Sequence, residues 1–300
     1  MSTKLSIIDT FENSTKKPIV FLMLIGLAGL ILRLVYFPYD VPLFNDSQGY
    51  FWYAIDMSIL NQLPVGHSLV NNGWPSFLSF IFHLMDSNNF LDYHNMQRFV
   101  GVVFSVATIF PVYLLCNRFF KKSYSLIGAA LISFEPKLLQ NSLLGLPESC
   151  YVFLVATLLY LYFSNDIKKI YLSFAVAGLL TLVRYEGLLI IIPISIMFFI
   201  RFRNNKKNLK KYFICIGIFI LIIFPMAYMR NETMGEHHDG VVSHIIAGPQ
   251  YYQAAETMHG TTLGDLLYLG SVNLIKYVGW ALIPSFIIFI PLGIIFIFKK

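Results

Sequence analysis

The chain has 300 residues, of which 57% are hydrophobic and only 13% are charged, whereas soluble domains carry about 25% charged residues. Its mean hydropathy of +0.66 excludes a soluble globular fold and indicates a membrane protein. The net charge of +6 arises in short loops that lack the aromatic or groove-fitting context of a nucleic-acid interface, so no nucleic-acid partner is expected. Anionic membrane lipid is the simpler partner for those loops.

Apolar runs that approach the length of a transmembrane helix recur along the whole chain. They predict an all-α, multi-pass transmembrane helical bundle of about eight spans, forming a single membrane domain over 1–300. The runs lie near 18–38, 96–117, 124–142, 149–163, 170–183, 187–200, 212–229 and 274–298. The first run lacks a convincing small-residue cleavage site, so we expect it to remain in the protein as a helix.

The loops between these runs alternate in charge. Sixteen of the 22 Lys and Arg residues fall on one side, with only three of the 16 acidic residues. The positive-inside rule makes this side, which also holds both termini, cytoplasmic. The other acids and all seven histidines lie on the opposite side. We therefore predict a multi-pass protein of the cell membrane whose active face is extracytoplasmic.

Two outer loops, 39–93 and 230–273, are much longer than the other connections. Loops of this length are usually functional or disordered, and the many aromatic side chains in both argue against disorder. The apolar stretch 74–85 is too short to cross a bilayer, so we expect a helix at the membrane interface, anchored by Trp74. The first outer loop is therefore predicted to be partly helical.

The most specific residues begin in the first outer loop. Arg33 lies at the outer end of the first predicted helix, and Asn45-Asp46 is followed by Tyr50 one helical turn later. Four further segments follow in order: Asn72-Gly-Trp-Pro75, Arg98-Phe-Val-Gly101, Leu146-Pro-Glu148 and Gly178-Leu-Leu-Thr-Leu-Val-Arg-Tyr-Glu-Gly187. In this order and spacing the chain resembles the polytopic GT-C glycosyltransferases, which include the protein O-mannosyltransferases and the aminoarabinose transferases of lipid A.

The resemblance implies a glycosyltransferase that takes its sugar from a polyprenyl-phosphate donor. In the family, the catalytic carboxylate follows the first transmembrane helix, which makes Asp46 the predicted general base. Because polyprenyl phosphate is a good leaving group, one carboxylate that deprotonates the acceptor hydroxyl suffices, unlike the carboxyl pair of hydrolases. Transfer is expected to invert the anomeric centre, and the acceptor is a protein, a lipid or a glycan.

Two features depart from the family pattern. Ser47 stands where many relatives hold a second acid, so Asp46 must act without that neighbour. The first outer loop has no Asp-x-Asp pair, so the metal site of oligosaccharyltransferases is not predicted; no cofactor is expected, although a divalent metal stays open. The segment Glu236-His-His-Asp239 has metal-ligand residue types, but neither the helical i, i+4 spacing nor a cysteine partner that would favour a metal site.

Seven further side chains are predicted to bind substrate: Arg98, Arg184, Glu148, Tyr50, His67, Glu186 and Arg33. The arginines fall at predicted helix ends, where a guanidinium group can hold a phosphate through two hydrogen bonds. Structural roles remain open for Asp46 and for most of these residues. Asp46 suits a helix cap and Glu148 suits the helix dipole. Arg184 and Glu186 suit an ion pair with each other or contacts with headgroups, Arg33 and Arg98 suit side chains that extend to the membrane surface, and His67 suits an exposed loop histidine.

A non-enzymatic lipid-binding or transporter-like membrane protein is the alternative function. A transporter is expected to carry polar residues at the centres of its spans and to have broken or repeated helices. Here the predicted spans are apolar at their centres and polar residues gather at the outer ends, which favours the enzyme. The geometry that would distinguish the two functions is a cavity, open sideways to lipid, that is lined by Asp46 and at least two outer cations.

Overall fold

In a computed structural model the chain divides into two compact units, 1–248 and 249–300. The residues described are 16–64, 72–204, 206–234, 268–274 and 276. All regular structure among them is helical, and in the second unit it consists of residues 268–274 and 276. The contacts that follow all belong to the first unit.

The described part of the first unit forms twelve α-helices in chain order. They are α1 Lys16–Val35, α2 Asp46–Leu60, α3 Gly73–His83, α4 Phe90–Ala107, α5 Ile109–Cys116, α6 Lys122–Ser133, α7 Pro136–Leu143, α8 Glu148–Tyr162, α9 Ile167–Val183, α10 Ile191–Phe202, α11 Lys206–Lys210 and α12 Tyr212–Met234. A 3-10 helix, Tyr185–Ile190, joins α9 to α10.

Four helical segments of the described residues are long and apolar enough to cross a membrane: Lys17–Val35, Phe90–Cys116, Tyr185–Phe202 and Tyr212–Arg230. They confirm the predicted all-helical membrane bundle, but not the number of eight spans. The predicted spans near 149–163 and 170–183 correspond to α8 and α9, which have only 15 and 17 residues. The predicted span near 274–298 lies almost entirely outside the described residues.

The predicted span near 124–142 is divided into two short helices, α6 and α7. α7 begins at Pro136, and proline both lacks a backbone N–H and disfavours a helical conformation in the residue before it. Glu135 instead caps α7, because its carboxylate accepts a hydrogen bond from the backbone N–H of Leu138. The two helices therefore have 12 and 8 residues, too few for either to span a bilayer.

The loop 39–93 is partly helical in its described residues, as predicted, and its helices α2 and α3 pack on each other. Gly73 lets α3 start against the end of α9, since a Cβ at this position would lie 2.6 Å from the carbonyl carbon of Leu182. Trp74 is completely buried in an apolar cluster with residues of α2, α4 and α8. The expectation that Trp74 anchors the loop at the headgroups is therefore wrong: this side chain belongs to the core.

A buried arginine joins three helices of the bundle. Arg33, in the last turn of α1, is completely buried and donates to the hydroxyl of Ser105 on α4 at 2.7 and 3.2 Å. It also donates to the carbonyl oxygens of Gly29 at 2.9 Å and Ser133 at 3.0 Å. These neutral acceptors tie α1 to α4 and α6, since a buried guanidinium must find hydrogen-bond partners.

Candidate functional site

Asp46 is the first residue of α2, and its side chain is exposed. Asn45 takes the N-cap position, so Asp46 is not the cap, although an acid in the first turn suits the helix dipole. Among the described residues, no hydrogen bond or ion pair engages the Asp46 carboxylate. An exposed, uncommitted carboxylate is available to accept a proton.

The backbone that leads into α2 adopts an unusual conformation. Asn45 has φ 53° and ψ −138°, a region that asparagine tolerates better than most residues but that still costs about 1–3 kcal/mol. Next to Asp46, Ser47 is buried, and its hydroxyl donates to the carbonyl oxygen of Phe44 at 2.7 Å. The residue that stands in place of a second acid thus fastens the turn that presents Asp46.

Arg184 lies between two carboxylates at the start of α8 and in the turn after α9. Its Nη1 bonds Glu148, while Nη2 and Nε donate to the two oxygens of Glu186 at 2.8 and 3.3 Å. The three side chains are 27–33% exposed. Burial alone would lower the pKa of Arg184, but the hydrogen bond with Glu186 and the charges of both glutamates raise it above its ordinary value.

Tyr50 connects α2 with this ion-pair cluster of Glu148, Arg184 and Glu186. It is buried one helical turn after Asp46, close enough to Arg184 for its phenol to influence the guanidinium group electrostatically. Tyr50 also packs in one buried cluster with Cys150 and Val183, which adjoin this end of α8 and Arg184, so the structure brings the predicted residues Tyr50, Arg184, Glu148 and Glu186 together.

A second arginine lies one further turn along α2. Tyr53 is completely buried, and burial raises its pKa to about 12, an increase that the positive charge of nearby Arg230 opposes. Arg230 belongs to the last turns of α12 and is itself buried. Because Arg230 is far from α2 along the chain, no sequence pattern could pair it with Tyr53.

Arg98 is buried beside the first loop, not in the ion-pair cluster. Its guanidinium group donates to the carbonyl oxygens of Pro38 at 3.3 Å and Pro42 at 3.0 Å, and to the side chain of Asn95 at 3.2 Å. These bonds hold residues 38–42, which lead towards Asp46. The predicted role of Arg98 in substrate binding stays a prediction.

The remaining predicted residues lie elsewhere. Arg33 forms the bundle contacts given above, and its predicted contact with substrate stays a prediction. His67 and the segment 236–239 lie outside the described residues. In the part of the chain that the structure describes, no group of three or more His, Cys, Asp or Glu side chains could hold a metal ion.

Gln97 is a contact residue that the sequence did not single out. Its side chain is completely buried, and its amide nitrogen donates to the carbonyl oxygens of Ser47 and Gly145, each at 3.0 Å. The one available signal was a polar amide at the start of an apolar run, directly before Arg98. That signal is weak, because it gives no indication of the partners.

Several buried polar atoms of α3, α4 and the start of α8 lack a hydrogen-bond partner in the described part of the chain. They include Glu148 Oε2, Ser149 Oγ, Gln97 Oε1 and Trp74 Nε1. Most buried polar atoms of folded proteins are hydrogen-bonded, so each exception calls for an explanation such as a bound water or ligand.

Residues 77–229, just over half of the chain, match the family model described as dolichyl-phosphate-mannose-protein mannosyltransferase. The matched segment runs from α3 into α12 and contains Arg98, Glu148, Arg184 and Glu186. Asp46 and Tyr50 precede it. No curated protein matches the chain.

Proposed function

The chain belongs to the dolichyl-phosphate-mannose-protein mannosyltransferase family, and from this premise we propose that it moves a sugar from a polyprenyl-phosphate-linked donor to an acceptor hydroxyl. In this proposal Asp46 is the general base, and the reaction takes place at the extracytoplasmic face of a cell membrane. The acceptor is a hydroxyl group of a protein, a lipid or a glycan.

One observation carries the proposal. Asp46 is exposed and uncommitted within the described residues, while Tyr50, in the next turn of the same helix, packs in one buried cluster with Cys150 and with Val183, the residue before Arg184. The predicted proton acceptor thus lies one helical turn from Tyr50, which packs beside the cluster of one cation and two carboxylates. The carboxylates can accept hydrogen bonds from the hydroxyl groups of a sugar, and Arg184 is the cation of the cluster that can face an anionic leaving group.

The chemistry needs one base. Asp46 takes the proton of the acceptor hydroxyl, the oxygen forms a bond to the anomeric carbon, and the bond between that carbon and the phosphate oxygen breaks. The polyprenyl phosphate leaves with the electron pair of the broken bond. Attack from the face opposite the phosphate inverts the anomeric centre, and phosphate departs without a general acid because it is a weak base.

Cations near the phosphate would stabilise the charge that develops as the bond breaks. Arg184 and Arg230 lie beside consecutive turns of α2, at Tyr50 and Tyr53. Both are thus candidates to face the donor phosphate. The polyprenyl tail needs no polar contacts and would remain in the lipid beside the apolar helices.

A donor-competition assay tests this function. The full-length protein, purified into lipid nanodiscs, is given polyprenyl-phosphate mannose or GDP-mannose with a panel of peptide, lipid and glycan acceptors. We expect sugar transfer only from the lipid-linked donor, with inversion at the anomeric carbon by NMR. Transfer from the nucleotide donor, or retention of configuration, would contradict the proposal.

A further inference from the structure

Gln97 joins two segments that are distant in sequence but both lead to site residues. Its Nε2 donates at 3.0 Å to the carbonyl oxygen of Ser47 and at 3.0 Å to that of Gly145. Because both partners are acceptors, the nitrogen end of the amide must face them, which fixes the orientation of the side chain. The side chain is completely buried and lies in the first half of α4.

The carbonyl of Ser47 belongs to the first turn of α2 and follows Asp46 directly. A hydrogen bond from Gln97 to this oxygen therefore ties the start of α2 to α4. Arg98, the next residue of α4, bonds the carbonyls of Pro38 and Pro42 in the same loop. Two neighbouring side chains of one helix thus hold the approach to Asp46 and the turn that contains it.

The carbonyl of Gly145 belongs to the turn that ends α7. The N–H of Gly145 bonds Ser142 and that of Leu146 bonds Asn141, the paired bonds of a helix end that requires a left-handed residue. Gly145 supplies it with φ +71°, and a Cβ there would lie 3.1 Å from Gln97 Cγ. Glycine therefore permits both the turn and the close contact with Gln97.

Glu148, which bonds Arg184, follows this turn by three residues and begins α8. The Gln97 amide consequently spans from the helix of the predicted base to the turn that presents the ion-pair cluster. One side chain thus bonds both of these parts of the site.

We propose that Gln97 is a positioning residue, which holds Asp46 and the Glu148–Arg184 pair at the separation that transfer requires. The inference rests on the proposed function, since it assigns Gln97 a role in that same reaction. Gln97 acts through Asp46 and Glu148 and touches no reacting atom. A displacement of about 1 Å in a reacting group can cost about 10²-fold in rate.

The test compares Gln97→Met with Tyr162→Phe. Methionine matches the length of glutamine but has no N–H to donate. Tyr162 is also buried and donates to a backbone carbonyl of another helix, that of Ile194 at 2.9 Å, but at the opposite end of α8. Tyr162→Phe removes this hydrogen bond and provides a matched structural control. Gln97→Asn adds a variant that keeps the amide polarity but is one methylene too short to reach both carbonyls.

Three quantities are measured on full-length protein in nanodiscs: kcat and donor KM for transfer from polyprenyl-phosphate mannose, the melting temperature, and hydrogen exchange of residues 44–51 and 143–149. For both Gln97 variants we expect kcat to fall by about 10–10²-fold with little change in KM, and faster exchange in the two segments. Tyr162→Phe should lower the melting temperature comparably while keeping kcat.

An unchanged kcat in the Gln97 variants, or an equal loss of kcat in Tyr162→Phe, would overturn the positioning role. Unchanged exchange in both segments would show that Gln97 does not hold them together. Absence of transfer by the unaltered protein would instead refute the proposed function, so the two failures are distinguishable.

Discussion

The two ends of α8 bind arginines in different ways. At its C-terminal end, Arg201 donates to the carbonyls of Tyr162 at 2.9 Å and Ser164 at 2.7 Å. Arg118 donates to the carbonyl of Phe163 at 3.1 Å and lies over the ring of Tyr160 at 4.8 Å. Cations at the carbonyl end of a helix satisfy its last acceptors and complement its dipole.

At the N-terminal end, Glu148 binds Arg184, which is shared with Glu186. Here the polar groups are not all used, since Glu148 Oε2 and Ser149 Oγ have no partner among the described residues. Arginines of the protein itself thus bond the carbonyls at the C-terminal end of α8, whereas the N-terminal end has buried polar atoms that a bound molecule could bond. Helix capping explains the arginines at the C-terminal end, but it does not explain the buried polar atoms without partners at the N-terminal end.

The largest expected difference between the two ends is in accessibility, because we predict that they lie on opposite sides of the membrane. A tag near residue 60, at the end of α2, should be accessible from outside intact cells, as should one near residue 240. Tags at residue 1, near residue 205 and at residue 300 should be accessible only after permeabilisation. An external tag near 205 would place the Arg201 end of α8 outside and reverse the assigned active face.

The next effect concerns Asp46. Asp46→Asn retains the shape of the side chain in the first turn of α2, so the protein should insert and bind donor normally. It removes the proton acceptor, and we expect transfer to fall by about 10²–10⁴-fold. The measurement is kcat for transfer from a lipid-linked donor, with donor affinity determined separately.

Asp40→Asn and Asp56→Asn are the matched controls for this change, and both should remain active. An active Asp46→Asn beside an inactive control would move the base to another acid. Activity in all three variants would argue against an enzyme that uses this loop.

A smaller loss, of about 10²-fold in kcat/KM, is expected for Arg184→Gln, because one charged donor is removed from the N-terminal cluster. The change also leaves two carboxylates unpaired, so the double variant Arg184→Gln/Glu186→Gln restores the charge balance. If Arg184 contacts the donor, the double variant stays impaired. Recovery of transfer in the double variant would show that Arg184 only neutralises the glutamates.

The smallest effect on transfer is expected at the other end of α8. Arg201→Gln removes charge-assisted hydrogen bonds to two carbonyls, which should destabilise the protein by about 1–2 kcal/mol. Transfer per folded molecule should stay unchanged. The checks are thermal unfolding in detergent and kcat normalised to folded protein; a loss of kcat as large as that of Arg184→Gln would erase the distinction between the two ends.

Much of the fold could be predicted because it depends on local pattern. Apolar runs gave most of the helices, and the aromatic, apolar character of the first loop indicated α2 and α3. The division of the 124–142 run was missed, although Glu135-Pro136 was visible as a helix start. The burial of Trp74 could not be predicted, because an aromatic residue near an interface suits either headgroups or a protein core.

Four of the predicted substrate residues lie together, but the sequence could not predict which partner each arginine would take. Arg98 and Arg184 both stood at predicted helix ends, yet one bonds backbone carbonyls and the other bonds carboxylates. The role of Asp46 in catalysis stays a prediction, because this residue precedes the segment that the family model matches.

The sequence by itself determined that this chain is a helical membrane protein, because hydropathy and length are properties of contiguous residues. It also determined the order of motifs on which the family resemblance depends. Only the tertiary structure decided that Gln97 bonds Ser47 and Gly145, 50 and 48 residues away, and that Arg184 bonds Glu148, 36 residues away. The physical reason is that hydrogen bonds act over about 3 Å of space, and separation along the chain does not reveal which groups packing brings that close.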